Sequence, residues 1–334
     1  MILVTGGTGM VGAHLLYELV NSGEKVRAIY RSERAIEKVK KVFSYYSDTV
    51  DTLIEKIDWV QGDLLDITSL ELAFEGVVTV FHAAALVSFR HADYEQLRRV
   101  NIEGTATIVN LSIAFSIKKL IYVSSIAAIS KTVGKELVDE TDDFNLDTNN
   151  YGYAITKYGA EMEVWRGSQE GLNVLVVNPG VVLGPGYWNE NSGAMFAMVS
   201  KGFPFYTEGI TGFIGVDDVV KALLLLYRGT LVNERFVLVS ENISFKSVLY
   251  HIAGFFGKKP PRFKVTRFMA EAGWRLAWLY TFVTGRSNSF SKHTAKSASK
   301  NSFYNSDKIQ QATGMEFEPM EKVIEAICAK YKNG

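Results

Sequence analysis

Within its first twelve residues the chain runs from an apolar stretch, Ile2-Leu3-Val4, directly into Thr5-Gly6-Gly7-Thr8-Gly9-Met10-Val11-Gly12. This satisfies Gly-x-x-Gly-x-x-Gly from Gly6 and Gly-x-Gly-x-x-Gly from Gly7. Glycines at such spacing let the backbone turn tightly and approach a pyrophosphate, whose charge then meets the N-terminus of the following helix. A glycine motif alone is a weak signal, because a tight strand-to-helix turn without a ligand uses the same residues. The context decides: the motif follows a strand, opens a helix over Met10 to Val20, and starts a β-α-β unit. Gly6, Thr8, Gly9, Met10, Val11 and Gly12 are therefore candidate dinucleotide contacts.

The first half alternates short β-branched runs with helical patterns. Strands are expected at Ile2 to Val4, Lys25 to Tyr30, Asp58 to Gln61, Val77 to His82, Leu120 to Val123 and Leu172 to Val177. Helices are expected from Met10, from Glu33, over Tyr94 to Phe115 and around Tyr153; residues 45–56 read as an insertion or a helix extension. Such alternation calls for a parallel sheet covered on both faces, and right-handed crossovers make it a doubly wound α/β fold of the Rossmann type. After Pro179 the regularity fades. Gly184-Pro185-Gly186 and Gly209 to Gly215 read as loops, Val216 to Leu226 as a helix and Phe236 to Val239 as a strand. Ser244 to Phe256, Val265 to Val283 and Met320 to Lys330 read as helices, and residues 284–303, rich in Ser, Lys and Asn, as a loop or lid. The expected division is a dinucleotide-binding domain over 1–180, with returns near 212–240. A smaller, discontinuous substrate domain would occupy most of 181–330.

Composition narrows the partners. With 36 basic and 36 acidic residues there is no global field to attract nucleic acid. Cys328 is the only cysteine, which excludes an internal disulfide and a cysteine-rich metal site, and no metal centre is expected. The chain suits a reducing, cytoplasmic setting, and strand-like residues from Ile2 leave no room for a signal peptide. Phe268 to Val283 is the nearest thing to a membrane segment, but Glu271 and Arg275 interrupt it, and an amphipathic helix is the better reading. The expected partner is a small molecule.

Further residues suggest chemistry. Tyr30-Arg31-Ser32 ends the second strand, where an acidic residue would serve the ribose hydroxyls of NAD; Arg31 can instead pair with a 2′-phosphate. NADP(H) is expected, with NAD(H) left open. After the third strand Asp63, with Leu64 beside it, could meet the adenine or cap the next helix, and Asp66 is the better cap. Ala83 and Ala84, small residues after the fourth strand, permit close cofactor approach, whereas His82 in an apolar strand reads as structural. Tyr153 and Lys157 stand four residues apart in Asn150-Tyr151-Gly152-Tyr153-Ala154-Ile155-Thr156-Lys157, on one face of a helix. The cation is expected to lower the phenol's pKa from roughly 10 toward neutrality, about 4 kcal/mol for three units.

Together these residues resemble the short-chain dehydrogenase/reductase superfamily, extended branch, over nearly the whole chain. Val26-Arg27-Ala28-Ile29-Tyr30-Arg31, Asn178-Pro179-Gly180-Val181-Val182-Leu183-Gly184-Pro185 and Val216-Asp217-Asp218-Val219 resemble the group of dihydroflavonol reductases, aldehyde reductases and 3β-hydroxysteroid dehydrogenases. The resemblance implies a catalytic set of Ser125, Tyr153 and Lys157. Ser125 is selected over Ser124 by aligning the strand end, and Asn101 matches a helix asparagine that steadies a water or the lysine. It further implies that Pro179 to Val182 close over the nicotinamide, that Asp217-Asp218 start a helix, and that the long helix and the Tyr153 helix pair into a homodimer. The implied activity is reduction of a carbonyl by hydride transfer, with Tyr153 as proton donor. A nucleotide-sugar epimerase and a non-catalytic NADP-binding protein are the alternatives. Dehydratases of the branch carry an Asp-Glu pair after the serine, where this chain has Ile126-Ala127-Ala128. Tyr187, Trp188, Phe196, Met198, Phe203, Phe205, Tyr206 and Phe213 suggest an apolar pocket, or simply core.

Overall fold

The computed structural model describes residues 1–145, 151–266, 269 and 300–332. In chain order its strands begin with β1 (Ile2–Thr5), β2 (Val26–Tyr30), β3 (Ile57–Gln61), β4 (Thr79–His82), β5 (Lys119–Val123) and β6 (Leu137–Val138). They continue with β7 (Val174–Pro179), β8 (Val181–Leu183), β9 (Phe205–Tyr206), β10 (Ile210–Gly215), β11 (Glu234–Leu238) and β12 (Glu241–Ser244). A seven-stranded sheet has the order β11-β7-β5-β4-β1-β2-β3, and every pairing in it is parallel. The order reverses between β1 and β4, which makes the carboxyl ends of those two strands the crevice where such sheets bind ligands.

Alternation along each strand builds two cores. Val4, Ile121, Leu175 and Val177 point to one face, where α1 (Met10–Asn21) and α9 (Val216–Arg228) bring Leu15, Leu16, Leu19, Val219 and Leu223. Leu3, Leu120, Val174 and Val176 point to the other, against α4 (Ile67–Phe74), α6 (Gly104–Ala114) and α7 (Gly152–Gln169). Burial on both faces is why the strands read as continuous apolar runs. Each fully buried leucine adds roughly 1.5–3 kcal/mol.

The long helix expected over Tyr94 to Phe115 is α5 (Tyr94–Leu97), a π-helical stretch Arg98–Glu103, and α6. Residues 45–56 are not an extension of α2 (Arg34–Phe43) but hold a separate short helix, α3 (Val50–Ile54). Gly209 to Gly215 is mostly strand rather than loop: β10 is the middle of a three-stranded sheet, β12-β10-β8. That sheet packs on a third core with α8 (Gly193–Ser200), α10 (Phe245–Phe255) and the helix Met320–Lys332. Cys328 is buried in it, its thiol pushed up to about 12 by burial. A helix at Asp307–Thr313 had no counterpart in the sequence reading. The helix expected over Val265 to Val283 and the loop or lid of 284–303 lie, save for their ends and Met269, outside the described residues. Among the described residues no helix is long and apolar enough to cross a membrane, and no cluster of metal-ligating side chains occurs.

Candidate active site

The glycine loop joins β1 to α1 at the switch point. Gly6 has φ +71°, and a Cβ there would lie 2.5 Å from the Ala84 nitrogen, so the loop presses against the Ala83-Ala84 backbone. A Cβ on Gly12 would meet the Gly6 carbonyl oxygen at 2.1 Å. Gly9 occupies the N-cap position of α1 with no side-chain cap, and only its own N–H closes back, onto Gly6 O at 2.9 Å. A helix N-terminus without a capping side chain leaves its first N–H groups available to an anion. Of the two alternatives for Tyr187, pocket or core, the structure shows the core: it is buried there and donates its hydroxyl to Thr8 O at 2.7 Å, pinning the loop. Phe196 and Phe213 are likewise buried in the core.

Arg31 lies exposed one residue beyond β2 and has no ion-pair partner among the described residues. Asp63 uses its carboxylate to accept the Leu65 N–H at 2.9 Å, and Asp66 takes the N-cap position of α4 without a side-chain bond. Leu64 packs against Gly104 at the start of α6. His82 is wholly buried, bonded to Thr5 Oγ1 at 2.6 Å and Thr105 Oγ1 at 3.0 Å; burial holds its imidazole down to about 3, a structural group. Asp217 accepts from the Tyr46 hydroxyl and Asp218 from the Glu318 N–H, both from the first turn of α9.

The remaining residues meet where β5 ends and α7 begins. Ser125 is the N-cap of a short 3₁₀ turn, and its Oγ accepts the Ala127 N–H at 3.1 Å. The same hydroxyl stands near enough to the Tyr153 phenol to pull its pKa down. Ser124 turns away, donating to buried Glu161 Oε2 at 2.6 Å. The structure therefore separates the two serines and brings Ser125, not Ser124, to the tyrosine. Phe89 and Tyr151 flank the Tyr153 ring at 6.0 and 6.2 Å between centroids.

Lys157 is buried on α7 and donates to Tyr122 Oη at 2.7 Å and Val123 O at 2.9 Å. Burial lowers its pKa to about 7, with Glu161 pulling the other way. The phenol departs from the sequence expectation: burial pushes Tyr153 up to about 12, against the pull of Ser125. Four-residue spacing puts both groups on one helix face, but the ammonium is engaged by β5, and burial governs the phenol's shift.

Asn101 lies in the π-helical stretch, a distortion common at functional sites. It is buried; its Oδ1 accepts the Leu86 N–H at 2.7 Å and its Nδ2 donates to Leu86 O and Thr156 Oγ1. It thus ties the segment after β4 to α7. Pro179 ends β7 and Val182 lies in β8 beyond it. Asn178 is fully buried and donates to Ser125 O at 3.0 Å and Glu161 Oε2 at 2.9 Å, while its Oδ1 has no partner among the described residues. A buried orphaned acceptor beside the serine and an uncapped helix N-terminus at the switch point both fit a bound dinucleotide. Glu161 and Tyr122 have no assigned role in the sequence. Only Glu161 carried a signal, a second four-residue step beyond Lys157.

Comparison with known proteins gives the same picture. A Synechocystis sp. protein with a provisional dihydroflavonol 4-reductase name is 29% identical over 335 residues, 97% of this chain and 91% of its own. Tetraketide alpha-pyrone reductase 2 of Arabidopsis thaliana is 31% identical over 245 residues, 67% of this chain and 72% of its own. The solved UDP-glucose 4-epimerase of Thermotoga maritima superposes with a TM-score of 0.77 at 21% identity, covering 99% of this chain and 98% of that one, a likeness of fold alone. The model of the NAD-binding family described as Male sterility protein matches residues 4–231. The chain belongs to that family and is an oxidoreductase of the extended short-chain dehydrogenase/reductase superfamily, dihydroflavonol reductase-like.

Proposed function

We propose that the chain reduces the carbonyl of a small or medium apolar aldehyde or ketone at the expense of NADPH. The observation that carries this is the meeting of Ser125, just past the end of β5, with Tyr153 on α7, and Lys157 one turn further along the same helix. A phenol pushed up to about 12 is a loaded acid at neutral pH. Tyr153 donates its proton to the carbonyl oxygen, and the Ser125 hydroxyl bonds the oxygen as negative charge develops there. Lys157, poised near neutrality, supplies positive charge that favours the phenolate left behind.

The hydride would come from a dihydronicotinamide held by these residues. The first-turn N–H groups of α1 would hold the diphosphate. Ala83 and Ala84 allow close approach, and Asp63 and Leu64 would hold the adenine. Pro179 and Val182 would border the nicotinamide. Arg31, exposed and without a counter-ion among the described residues, is the reason to prefer NADP(H) over NAD(H). The core around α8, α10 and Met320–Lys332 is read as the substrate-binding part. A cytoplasmic homodimer formed through the α5–α6 run and α7 completes the proposal; its mass in solution tests it.

Turnover of NADPH with a panel of aldehydes, ketones and nucleotide sugars tests the reading, run on wild type and Tyr153→Phe. Carbonyl-dependent NADPH oxidation is expected in wild type, lowered about 10²–10⁴-fold in the variant with NADPH binding kept. Interconversion of a nucleotide sugar without net cofactor oxidation would replace the reductase reading with an epimerase.

A further inference from the structure

Glu161 stands one four-residue step beyond Lys157 on α7, and none of it reaches solvent. Two donors converge on Oε2, Ser124 Oγ at 2.6 Å and Asn178 Nδ2 at 2.9 Å. Two more reach Oε1, Arg235 Nη1 at 3.1 Å and Trp165 Nε1 at 3.4 Å. Four donors and no acceptor suit an ionised carboxylate, which can only accept. Arg235 comes from β11, where its second terminal nitrogen donates to Glu140 O at 2.6 Å and Asp142 O at 2.9 Å. A buried ion pair is weak evidence for stability, because taking both charges out of water offsets most of their attraction. Crosslinking α7 to β5, β7 and β11 would not by itself call for a charge, so the charge invites another explanation.

We propose that Glu161 is a positioning residue, and that its buried pair with Arg235 sets the protonation of the Lys157 ammonium one turn away. The same carboxylate reaches the serine. Asn178 bonds Glu161 and Ser125 O with one amide group, so the charge is linked to the Ser125 backbone as well as standing one helix turn from the lysine. The field of Glu161 acts in the required sense: it raises the pKa of Lys157 against the burial that lowers it, and raises that of Tyr122 as well. The groups facing Lys157 are few. Tyr122 comes from β5 and Tyr153 from α7, while His82 on β4 is neutral and Arg235 stands behind Glu161. Glu140 accepts the Val237 N–H beyond Arg235. Glu161 is therefore the carboxylate that opposes lysine deprotonation.

The inference rests on the reading of Lys157 as part of the catalytic set, and its test needs no substrate. Full-length protein isotope-labelled at lysine Cε is titrated across neutral pH by NMR, and the Lys157 signal is the one lost in Lys157→Met. A midpoint of about 7 is expected in wild type. Glu161→Gln removes the attracting charge and leaves Arg235, so the midpoint falls by about one unit or more. Arg235→Met leaves Glu161 unopposed, so the midpoint rises. Opposite shifts are the signature, since mere structural damage has no reason to move the midpoint in both directions. Midpoints that stay put, or move together, overturn the proposal. If Glu161→Gln does not fold, the Arg235→Met titration decides alone, a rise supporting the proposal and no rise overturning it. Opposite shifts in a protein that reduces no carbonyl would leave the electrostatic role standing and remove only the reductase reading.

Discussion

Lys157 Nζ donates to the Tyr122 hydroxyl at 2.7 Å and sits 4.4 Å from the centroid of the same ring. Tyr122 is buried and stacks on the His82 imidazole at 5.3 Å, which fixes the ring on the sheet. The lysine head is thus held by β5, through Tyr122 Oη and Val123 O, although its backbone belongs to α7. This joins the two elements that bear Ser125 and Tyr153.

Tyr122→Phe should therefore disturb the lysine without touching the phenol of Tyr153. The ammonium loses a charge-assisted acceptor, an interaction of about 1.5–3 kcal/mol. Loss of a bond to the charged form lowers the pKa, so Lys157 deprotonates at lower pH. The alkaline limb of the pH profile of NADPH-dependent turnover should move down by about one unit, at one unit per roughly 1.4 kcal/mol. An unmoved limb would show that Val123 O alone holds the charge.

Gly12→Ala is expected to weaken dinucleotide binding more than about tenfold, roughly 1.4 kcal/mol. The added Cβ would lie 2.1 Å from Gly6 O and 2.8 Å from Gly7 Cα, all of it backbone that cannot swing aside. Gly254→Ala is the control, because a Cβ there meets nothing within 4 Å and the residue is near the end of α10. That substitution should change stability by less than about 1 kcal/mol and leave NADPH affinity alone. Calorimetric titration of both variants separates a steric requirement from a general intolerance of alanine; equal affinities in both would sink the argument.

The parallel sheet and both of its cores were legible because buried strands and amphipathic helices write their periods directly into the sequence. Ile210-Thr211-Gly212-Phe213-Ile214-Gly215 misled for a physical reason. Its glycines suggested turns, yet a Cβ on Gly212 would lie 2.5 Å from the Val239 side chain, so glycine here marks close packing within β10. At the site, the spacing of Tyr153 and Lys157 was legible but the destination of the ammonium was not. Tyr122 lies 35 positions from Lys157, and no local pattern announces the pairing. The sign of the phenol's shift depended on that destination and on burial. Arg235, 74 positions from Glu161, was invisible for the same reason.

Arg31→Ala should abolish discrimination between the cofactors. Arg31 is exposed at the end of β2 and has no ion-pair partner among the described residues, so its guanidinium is free to pair with a 2′-phosphate. Wild type is expected to bind NADPH at least about tenfold more tightly than NADH, and the variant to lose most of that ratio. Fluorescence titration of both cofactors checks it. Equal affinities in wild type would remove the case for NADP(H).

Lys157→Met should stabilise the protein without added cofactor while it impairs turnover. The folded-state pKa of Lys157, about 7, lies below the ordinary 10.5, so the folded chain binds this proton less tightly than the unfolded chain does. Stability then rises with pH wherever the unfolded state holds more protons, here from about 7 to about 10.5. At pH 7 the lysine opposes folding most, and toward pH 10 that opposition disappears. Methionine has similar length and no charge to desolvate, though it leaves Tyr122 Oη and Val123 O without their donor, an offset of about 1–3 kcal/mol. A net gain on the order of 1 kcal/mol is expected near pH 7. Thermal unfolding of the two proteins in parallel tests this: the variant's advantage should shrink steadily as pH rises from about 7 to about 9. A gap that is constant, or that widens, would mean that the buried lysine does not carry a depressed pKa.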